Sequence, residues 1–342
     1  MTAFRGVGRA QASPSTADRG ESPLRKTIAV VGATGAQGGG LVRAIAKDPT
    51  GQFRARAITR DPGSDAAQAL AALPNVEVVR ADLEDPASVA AAFRRAYGAF
   101  CVTFFWADLS TATEMRHART MAAAAKATGV EHVVWSTLED SRQWVKDDRM
   151  PTLHGSYKVP HYDGKGEADV AFLEAGIPVT LLRTSAYWEN LIDFGLGPQR
   201  GEDGTLVLAY ALGEARWPGM ANQDIGKVAL GIFKRGDEFI GQTVTVAGEL
   251  LTGRQMAEKL SRALGEEVRY YAMDPDAYRG LGFPGADLIG NMFHFKRDFE
   301  AEYAGPRDNN LARELNPELQ SFDTWLAENA ARIPIAEKAV AR

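Results

Sequence analysis

The sequence predicts an α/β fold, a doubly wound parallel sheet with a smaller C-terminal α+β lobe. Three observations predict it. Residues 26–47, KTIAVVGATGAQGGGLVRAIAK, pass from an apolar strand through spaced glycines into a stretch of helical periodicity. From 26 to 183 strand-like and helix-like segments alternate without interruption, the pattern of a parallel sheet. Beyond residue 190 the alternation breaks into short strands, helices and Gly/Pro punctuation, as expected of a second lobe. The expected organisation is a flexible tail at 1–24, a nucleotide-binding Rossmann-type unit over 25–190, a smaller lobe over 191–330 interleaved with it, and a tail at 331–342.

A chain of 342 residues, 45% hydrophobic and 24% charged, has the composition of a globular protein large enough for such a pair. Its net charge of −5 argues against a surface built to grip nucleic acid phosphates. Cys101 is the only cysteine, which excludes an internal disulfide and a Cys-rich metal site, and fits a reducing cytoplasm. No apolar run reaches the roughly 18 residues of a membrane span, so no membrane association is expected. Residues 1–24 lack the apolar core of a signal peptide.

In the first unit, Thr27 to Val31 reads as a buried strand, followed by Gly32, Gly35 and Gly38 and a helix carrying Leu41, Val42 and Ile45. The glycines permit a tight turn and close approach of a ligand. The helix amino end then offers free N–H groups and a positive dipole end to a pyrophosphate. The loop 32–38, with Thr34, Ala36 and Gln37 between its glycines, is the expected phosphate cradle. The spacing is G-x-x-G-x-x-G, the variant of extended and atypical short-chain dehydrogenase folds.

Arg54 to Thr59 is strand two, and it ends at Arg60. An Arg there suits a ribose 2′-phosphate, where an Asp or Glu would suit a free 2′-hydroxyl, so NADP(H) is the expected cofactor. Asp61-Pro62 reads as the start of a turn. Val76 to Arg80 is strand three; Asp82 and Leu83 follow it, with Asp82 either accepting from an adenine amino group or capping the helix near Pro86. Ala99 to Thr103 is strand four. It leads into Phe104, Phe105 and Trp106, which either wall a nicotinamide pocket or pack in the core. Glu114 to Thr128 is an Ala-rich helix stopped by Gly129. Val130 to Trp135 is strand five and delivers Ser136 and Thr137. Gly164 to Ala175 is a helix and Pro178 to Leu182 is strand six. In the second lobe, strands are expected at Leu206 to Ala209 and Thr243 to Ala247, with helices around 224–234, 252–264 and 318–328.

Short-chain dehydrogenases reduce a carbonyl with a Tyr acid, a Lys four residues later on the same helix face, and a Ser on strand five. Lys165 stands where that Lys belongs, but four residues before it is His161. Three readings follow. The site binds NADP(H) without turnover and Lys165 holds the ribose; or His161, with a reference pKa of about 6.5, acts as the acid; or Tyr162, Tyr157 or Lys165 itself donates the proton. The five histidines show no metal-ligand spacing, and Ser136 has no Gly-x-Ser-x-Gly context. Cys101, inside a buried strand, is expected to be inert.

The segments VVGATGAQGG (30–39), RAITRDP (56–62), GAFCVTFFW (98–106), VPHYDGKGE (159–167), YWENL (187–191), GLGFPGADLIGNMF (280–293) and LNPELQSFDTWL (315–326) resemble the NmrA-like family. Within that family they resemble the HSCARG-type proteins, which are atypical short-chain dehydrogenases. The resemblance implies an NADP-binding fold that often lacks dehydrogenase activity, senses the NADP/NADPH balance and regulates partner proteins. It places cofactor at the glycine loop, Arg60, Lys165, and the segment around Tyr187 and Asn190. It agrees with His161, because the family itself carries His before the aromatic-DGK. Phe104 and Ala107 stand where the family commonly has Asn and Glu. Other members are NADPH-dependent quinone or related reductases. The expected function is a redox-sensing regulator with little or no dehydrogenase activity, the alternative an NADPH-dependent reductase using Lys165 with His161 or Tyr162. Expected partners are a regulatory protein, a small-molecule substrate, and a second copy of the chain in a homodimer.

Overall fold

Runs of β-branched and apolar residues covered on both faces form the centre of the molecule. In this computed structural model, which describes residues 25–146 and 148–336, they become β1 (Lys26–Val30), β2 (Phe53–Thr59), β3 (Val76–Arg80), β4 (Gly98–Cys101), β5 (His132–Thr137) and β6 (Val179–Arg183). The connecting helices are α1 (Ala36–Lys47), α2 (Asp65–Ala71), α3 (Pro86–Phe93), α4 (Thr111–Thr128) and α5 (Pro160–Glu174). The chain then leaves through β7 (Ala186–Tyr187), α6 (Asn190–Asp193), β8 (Gln199–Arg200), β9 (Leu206–Tyr210) and β10 (Arg216–Met220). It returns with α7 (Asn222–Lys234) and β11 (Thr243–Thr245). It departs again with β12 (Glu249–Thr252), α8 (Gly253–Leu264), β13 (Val268–Ala272) and α9 (Pro275–Arg279). Four helices close the chain: α10 (Ala286–Asp298), α11 (Glu300–Tyr303), α12 (Asn309–Leu315) and α13 (Phe322–Asn329).

The main sheet runs β3-β2-β1-β4-β5-β6-β11 with every neighbouring pair parallel. Its order reverses between β1 and β4, so the crevice for a ligand opens there, beyond the carboxyl ends of the strands. The α/β doubly wound class expected from the sequence is the class observed. Two three-stranded sheets, β7-β10-β12 and β8-β9-β13, build the second lobe. Because α7 and β11 return to the main sheet, the two lobes interleave in sequence.

Most expected elements appear with shifted ends, and the shifts have local causes. Strand four stops at Cys101, since the carbonyl and hydroxyl of Thr103 turn to Lys165 instead of a neighbouring strand. Strand five begins at His132 because Gly129, at φ +68°, ends α4 and the Val130 N–H folds back onto Ala125 O. The fifth helix starts four residues early, at Pro160. There the Asp163 carboxylate accepts from the N–H groups of Lys158 and Val159 and fixes the entry turn. Helix α10 and strand β10 lie outside the elements expected from the sequence. Residues 1–24 and 337–342, expected as tails, lie outside the described residues. Residues 331–336 are not a tail: Ile333 is buried in the second lobe's core.

Three cores result. One lies under α1 and α7, with Leu41, Val42, Ile225 and Phe233. The opposite face of the sheet carries α4 and α5, where Trp135 stacks on Phe172 at 4.7 Å. The third fills the second lobe around Tyr210, Trp217, Phe293 and Phe295. Helices α1 and α7 cross so closely that a Cβ on Gly226 would collide with the backbone of Gly40 and Leu41. This contact fixes α1, and therefore the glycine loop at its amino end. Among the described residues no helix is long and apolar enough to cross a membrane.

Candidate functional site

The glycine turn forms because Gly32 takes φ +65°, a left-handed conformation in which a Cβ would crowd the neighbouring carbonyl oxygen. The turn closes with the Gly35 N–H donating to Gly32 O at 2.9 Å. A Cβ on Gly38 would strike Gly32 O, so the helix approaches its own loop more closely than any other residue allows. Gly32, Thr34 and Gly35 are exposed, whereas Gln37 and Gly38 are buried. Gly35 caps α1 without a side-chain bond, and the first turn, beginning at Ala36, carries no acidic residue. An uncapped helix amino end, open to solvent and unneutralised, fits a pyrophosphate. Gln37 Nε2 donates to Tyr187 Oη at 2.5 Å, tying the cradle to β7, while Gln37 Oε1 is buried without a partner among the described residues.

At the end of β2, Arg60 is exposed and no ion-pair partner for it is found among the described residues. Asp61 turns into its own loop: its Oδ1 accepts from the Gly63 N–H at 2.9 Å. The acidic neighbour is thereby occupied as a turn residue, leaving the guanidinium available for a phosphate. After β3, the residue that caps α3 is Asp85, whose carboxylate accepts from Ala87 and Ser88 N–H. Asp82 is not the cap; it is exposed beside the half-buried Leu83. Asn190 opens α6 and is half-buried.

Lys165 lies at the centre. Its Nζ donates to Thr103 O at 3.0 Å and Thr103 Oγ1 at 2.7 Å, and sits 3.2 Å from Glu114 Oε1. Thr103 Oγ1 in turn donates to Glu114 Oε1 at 2.6 Å. The carboxylate, 2% exposed, holds the ammonium and the hydroxyl together, with its Oε2 unpartnered among the described residues. Sequence reasoning does not single out Glu114, although a signal exists: it shares a helix face with Ala118, Met121 and Ala125, all buried. A carboxylate on an apolar stripe needs a partner. Asp169, one turn beyond Lys165, escapes it as well. It accepts from Trp135 Nε1 at 2.8 Å and Thr137 Oγ1 at 2.5 Å, and burial pushes its carboxyl up to about 6. Ser136 is buried at the end of β5.

The candidate acids stand apart from Lys165 in chemistry. His161 is 6% exposed, its ring 4.8 Å from Tyr162, 5.0 Å from Trp106 and 5.9 Å from Phe105. Burial lowers its pKa to about 3, with the positive charges of Lys296 and Lys165 adding to the effect, and its Nδ1 has no partner among the described residues. The expectation of an imidazolium acid near neutral pH rests on an unperturbed value; this apolar pocket and the nearby lysines favour the neutral ring. Tyr162 points into the second lobe's core, its hydroxyl 3.2 Å from that of Tyr303, and burial raises its pKa well above 10. Tyr157 pairs with Leu153 under the Arg142 guanidinium. Phe105 is buried, whereas Phe104 is 63% exposed and Trp106 packs 6.3 Å from Phe194 of the second lobe. These rings form an apolar rim beside the Lys165 cluster. Cys101 is fully buried and its thiol is pushed up by desolvation.

Similar solved structures share this architecture. The chain superposes with a TM-score of 0.73 on Nmra, a negative transcriptional regulator solved in complex with NADP. Identity is 23%, covering 90% of this chain and 96% of that one. An NADPH-dependent quinone oxidoreductase from Escherichia coli, solved with NADPH, matches with a TM-score of 0.66 at 23% identity, over 89% and 98% of the two chains. Among curated proteins, the NmrA-like family domain-containing oxidoreductase FrzB of Cladobotryum sp is 28% identical over 82% of this chain and 86% of its own length. The nitrogen metabolite repression protein nmr of Neurospora crassa is 29% identical over 72% of this chain and 54% of its own. The profile of the NmrA-like family matches residues 24–326, nearly all of the described fold, and this chain belongs to that family.

Proposed function

We propose that this chain is an NADP(H)-binding regulatory protein that reads nucleotide state with little or no dehydrogenase turnover. The observation that carries the reading is the setting of Lys165. It is anchored to Thr103 and Glu114, while the residue four positions earlier is a neutral, enclosed imidazole and Tyr162 is committed to another core. A site so built holds a ribose and lacks a poised acid. In this reading the N–H groups of 32–38 bind the pyrophosphate, Arg60 the 2′-phosphate, and Lys165 the nicotinamide ribose. Thr103, Phe104, Phe105 and Ser136 line the nicotinamide end, and Asp82 and Leu83 flank the adenine. Tyr187 and Asn190 close the crevice from the second lobe. Regulation would pass to a protein partner, as the names of the transcriptional regulators among its relatives suggest.

Thermal-shift measurements with NADPH, NADP, NADH and NAD test the binding. At 100-fold saturation a ligand adds about 2.7 kcal/mol of apparent stability. Shifts confined to the phosphorylated pair, and lost in Arg60→Ser, are expected; equal shifts for NADH would refute the assignment of Arg60. Consumption of NADPH with quinones and aldehydes should be negligible, and robust turnover would overturn the regulatory reading.

A second reading, an NADPH-dependent reductase of a quinone or carbonyl, draws on the apolar rim of Phe104, Trp106 and Phe194 and on the relatives named as oxidoreductases. The cofactor would supply a hydride; Lys165, with His161 or Tyr162, would orient the acceptor. It requires Lys165→Ala to abolish a turnover that the wild-type protein possesses.

A further inference from the structure

The amino ends of β1, β2 and β4 lie at the opposite end of the sheet from the glycine loop, and a second cleft opens there. Its volume is about 870 Å³, and it reaches from the start of β1 to the start of β3 and the turn between α4 and β5. Four exposed cations line it: Arg25, Lys26, Arg54 and Arg95. None of the four has an ion-pair partner among the described residues. Two acids share the lining. Glu77 is taken by Arg56 at 3.1 Å, which leaves Glu131 alone to offset four positive charges. A chain of net charge −5 has thus gathered unbalanced positive charge in one concave place.

Surface cations are ordinarily mobile and solvated, but here the fold orients them. Arg54 Nε donates to Oγ1 of the buried Thr27 at 2.7 Å, and its Nη groups have no acceptor among the described residues. Lys26 Nζ rests 3.8 Å over the Tyr97 ring, which stacks on Phe53 with centroids 6.0 Å apart. Arg56 Nη1 donates to Ala92 O and Arg94 O, each at 2.9 Å, and so braces the turn that presents Arg95. Arg95 itself holds φ +59°, and Asn75, also in the lining, holds φ +63°. That conformation suits glycine, so an arginine kept there sets a guanidinium where the backbone would prefer no side chain. Positioned cations lose less freedom when a ligand arrives.

The chemistry of the donors narrows the ligand. A planar guanidinium meets two phosphate oxygens at once, and three of the four cations are arginines. A cleft of several hundred cubic ångströms is the space of a small molecule. We infer that this cleft binds a small oligophosphate, with Arg25, Lys26, Arg54 and Arg95 as its cationic contacts. The length of the strands separates it from the glycine loop, so it stands whether or not a nucleotide occupies that loop.

Calorimetric titration of the full-length protein with inorganic tripolyphosphate, at about 0.1 M salt, tests this. One tripolyphosphate should bind per chain. The double variant Arg54→Gln with Arg95→Gly should weaken binding at least tenfold; glycine suits the conformation at 95, so the turn is kept. Should that variant not fold, Arg25→Glu reverses one charge without touching the Thr27 bond or the turn, and should weaken binding likewise. Arg60→Ser, at the other end of the sheet, should leave the affinity unchanged. Absence of binding would overturn the inference, and so would binding lost in Arg60→Ser but kept in the double variant, which would place the ligand at the glycine loop. Citrate binding as tightly as tripolyphosphate would show attraction by charge alone and overturn the phosphate assignment. Tighter binding of a decaglutamate peptide would make the cleft a protein-docking surface instead.

Discussion

Helix α5 separates two clusters of buried charge that are built in opposite ways. On one side Lys165 meets Thr103 and Glu114 at the carboxyl ends of the strands, with 12% of the lysine side chain still exposed. On the other, Arg307 and Glu139 are sealed between the main sheet and the second lobe, with side chains 0% and 2% exposed. The sealed guanidinium bonds to Glu139, Ser185, Thr184 and Tyr303, and so joins residues 139–185 to the 303–307 turn. The open lysine is held by its carboxylate yet reaches the crevice. Burial thus sorts similar chemistry into two settings: one cluster locks the lobes together, and the other keeps part of its lysine accessible, as the proposed nucleotide site requires.

The largest expected effect comes from breaking the sealed cluster. Arg307→Leu leaves Glu139 buried without its cation and strips the bonds to Ser185, Thr184 and Tyr303. Loss of one member of a buried pair costs about 3–5 kcal/mol. Urea unfolding should show that loss, and a change below about 1 kcal/mol would mean that water already reaches Glu139.

The open cluster should respond differently. Lys165→Met strands the 2% exposed carboxyl of Glu114 and should destabilise the protein by about 2 kcal/mol. Adding Glu114→Gln removes the stranded charge and should recover most of that stability. NADPH affinity should fall about tenfold, near 1.4 kcal/mol, in both the single and the double variant. Such a cycle separates holding the fold from holding the ligand. Recovery of affinity along with stability would show that Lys165 acts only through Glu114.

The difference between the clusters also explains what could be read from the sequence. The glycine loop, the alternation of strands and helices and the position of Lys165 follow from local signals: β-branched runs, glycine spacing and helical period. Glu114, Asp169, Glu139 and Arg307 do not. Each is an ordinary charged residue in sequence, and its partner lies 11 to 168 positions away. The setting of His161 is hidden for the same reason, since nothing local announces that Trp106, Phe105 and Lys296 converge on one imidazole. Helix α10, whose buried face is interrupted by Asn291, His294 and Lys296, lacks a clean apolar stripe. Asp163 looks like part of a chemical motif, yet it fastens the turn before α5 through Ser141, Lys158 and Val159.

His161, between the two clusters, provides the smallest and most discriminating test. Its folded pKa, about 3, lies below the unfolded value of about 6.5. A depressed value means that the unfolded chain takes up the proton first, so this residue's contribution is complete above about pH 6.5 and is lost as the pH falls. At pH 5.5 the loss is about 1 kcal/mol. His161→Phe fills the same aromatic pocket without a titrating group, so its stability should decline over that interval by about 1 kcal/mol less than the wild type's, the remainder coming from His132 and His294, whose values are also lowered. Parallel unfolding curves at about pH 7.5 and 5.5 make the comparison. If both proteins lost the same stability on acidification, the imidazole would be protonated where it stands, and His161 would return as a candidate acid beside Lys165.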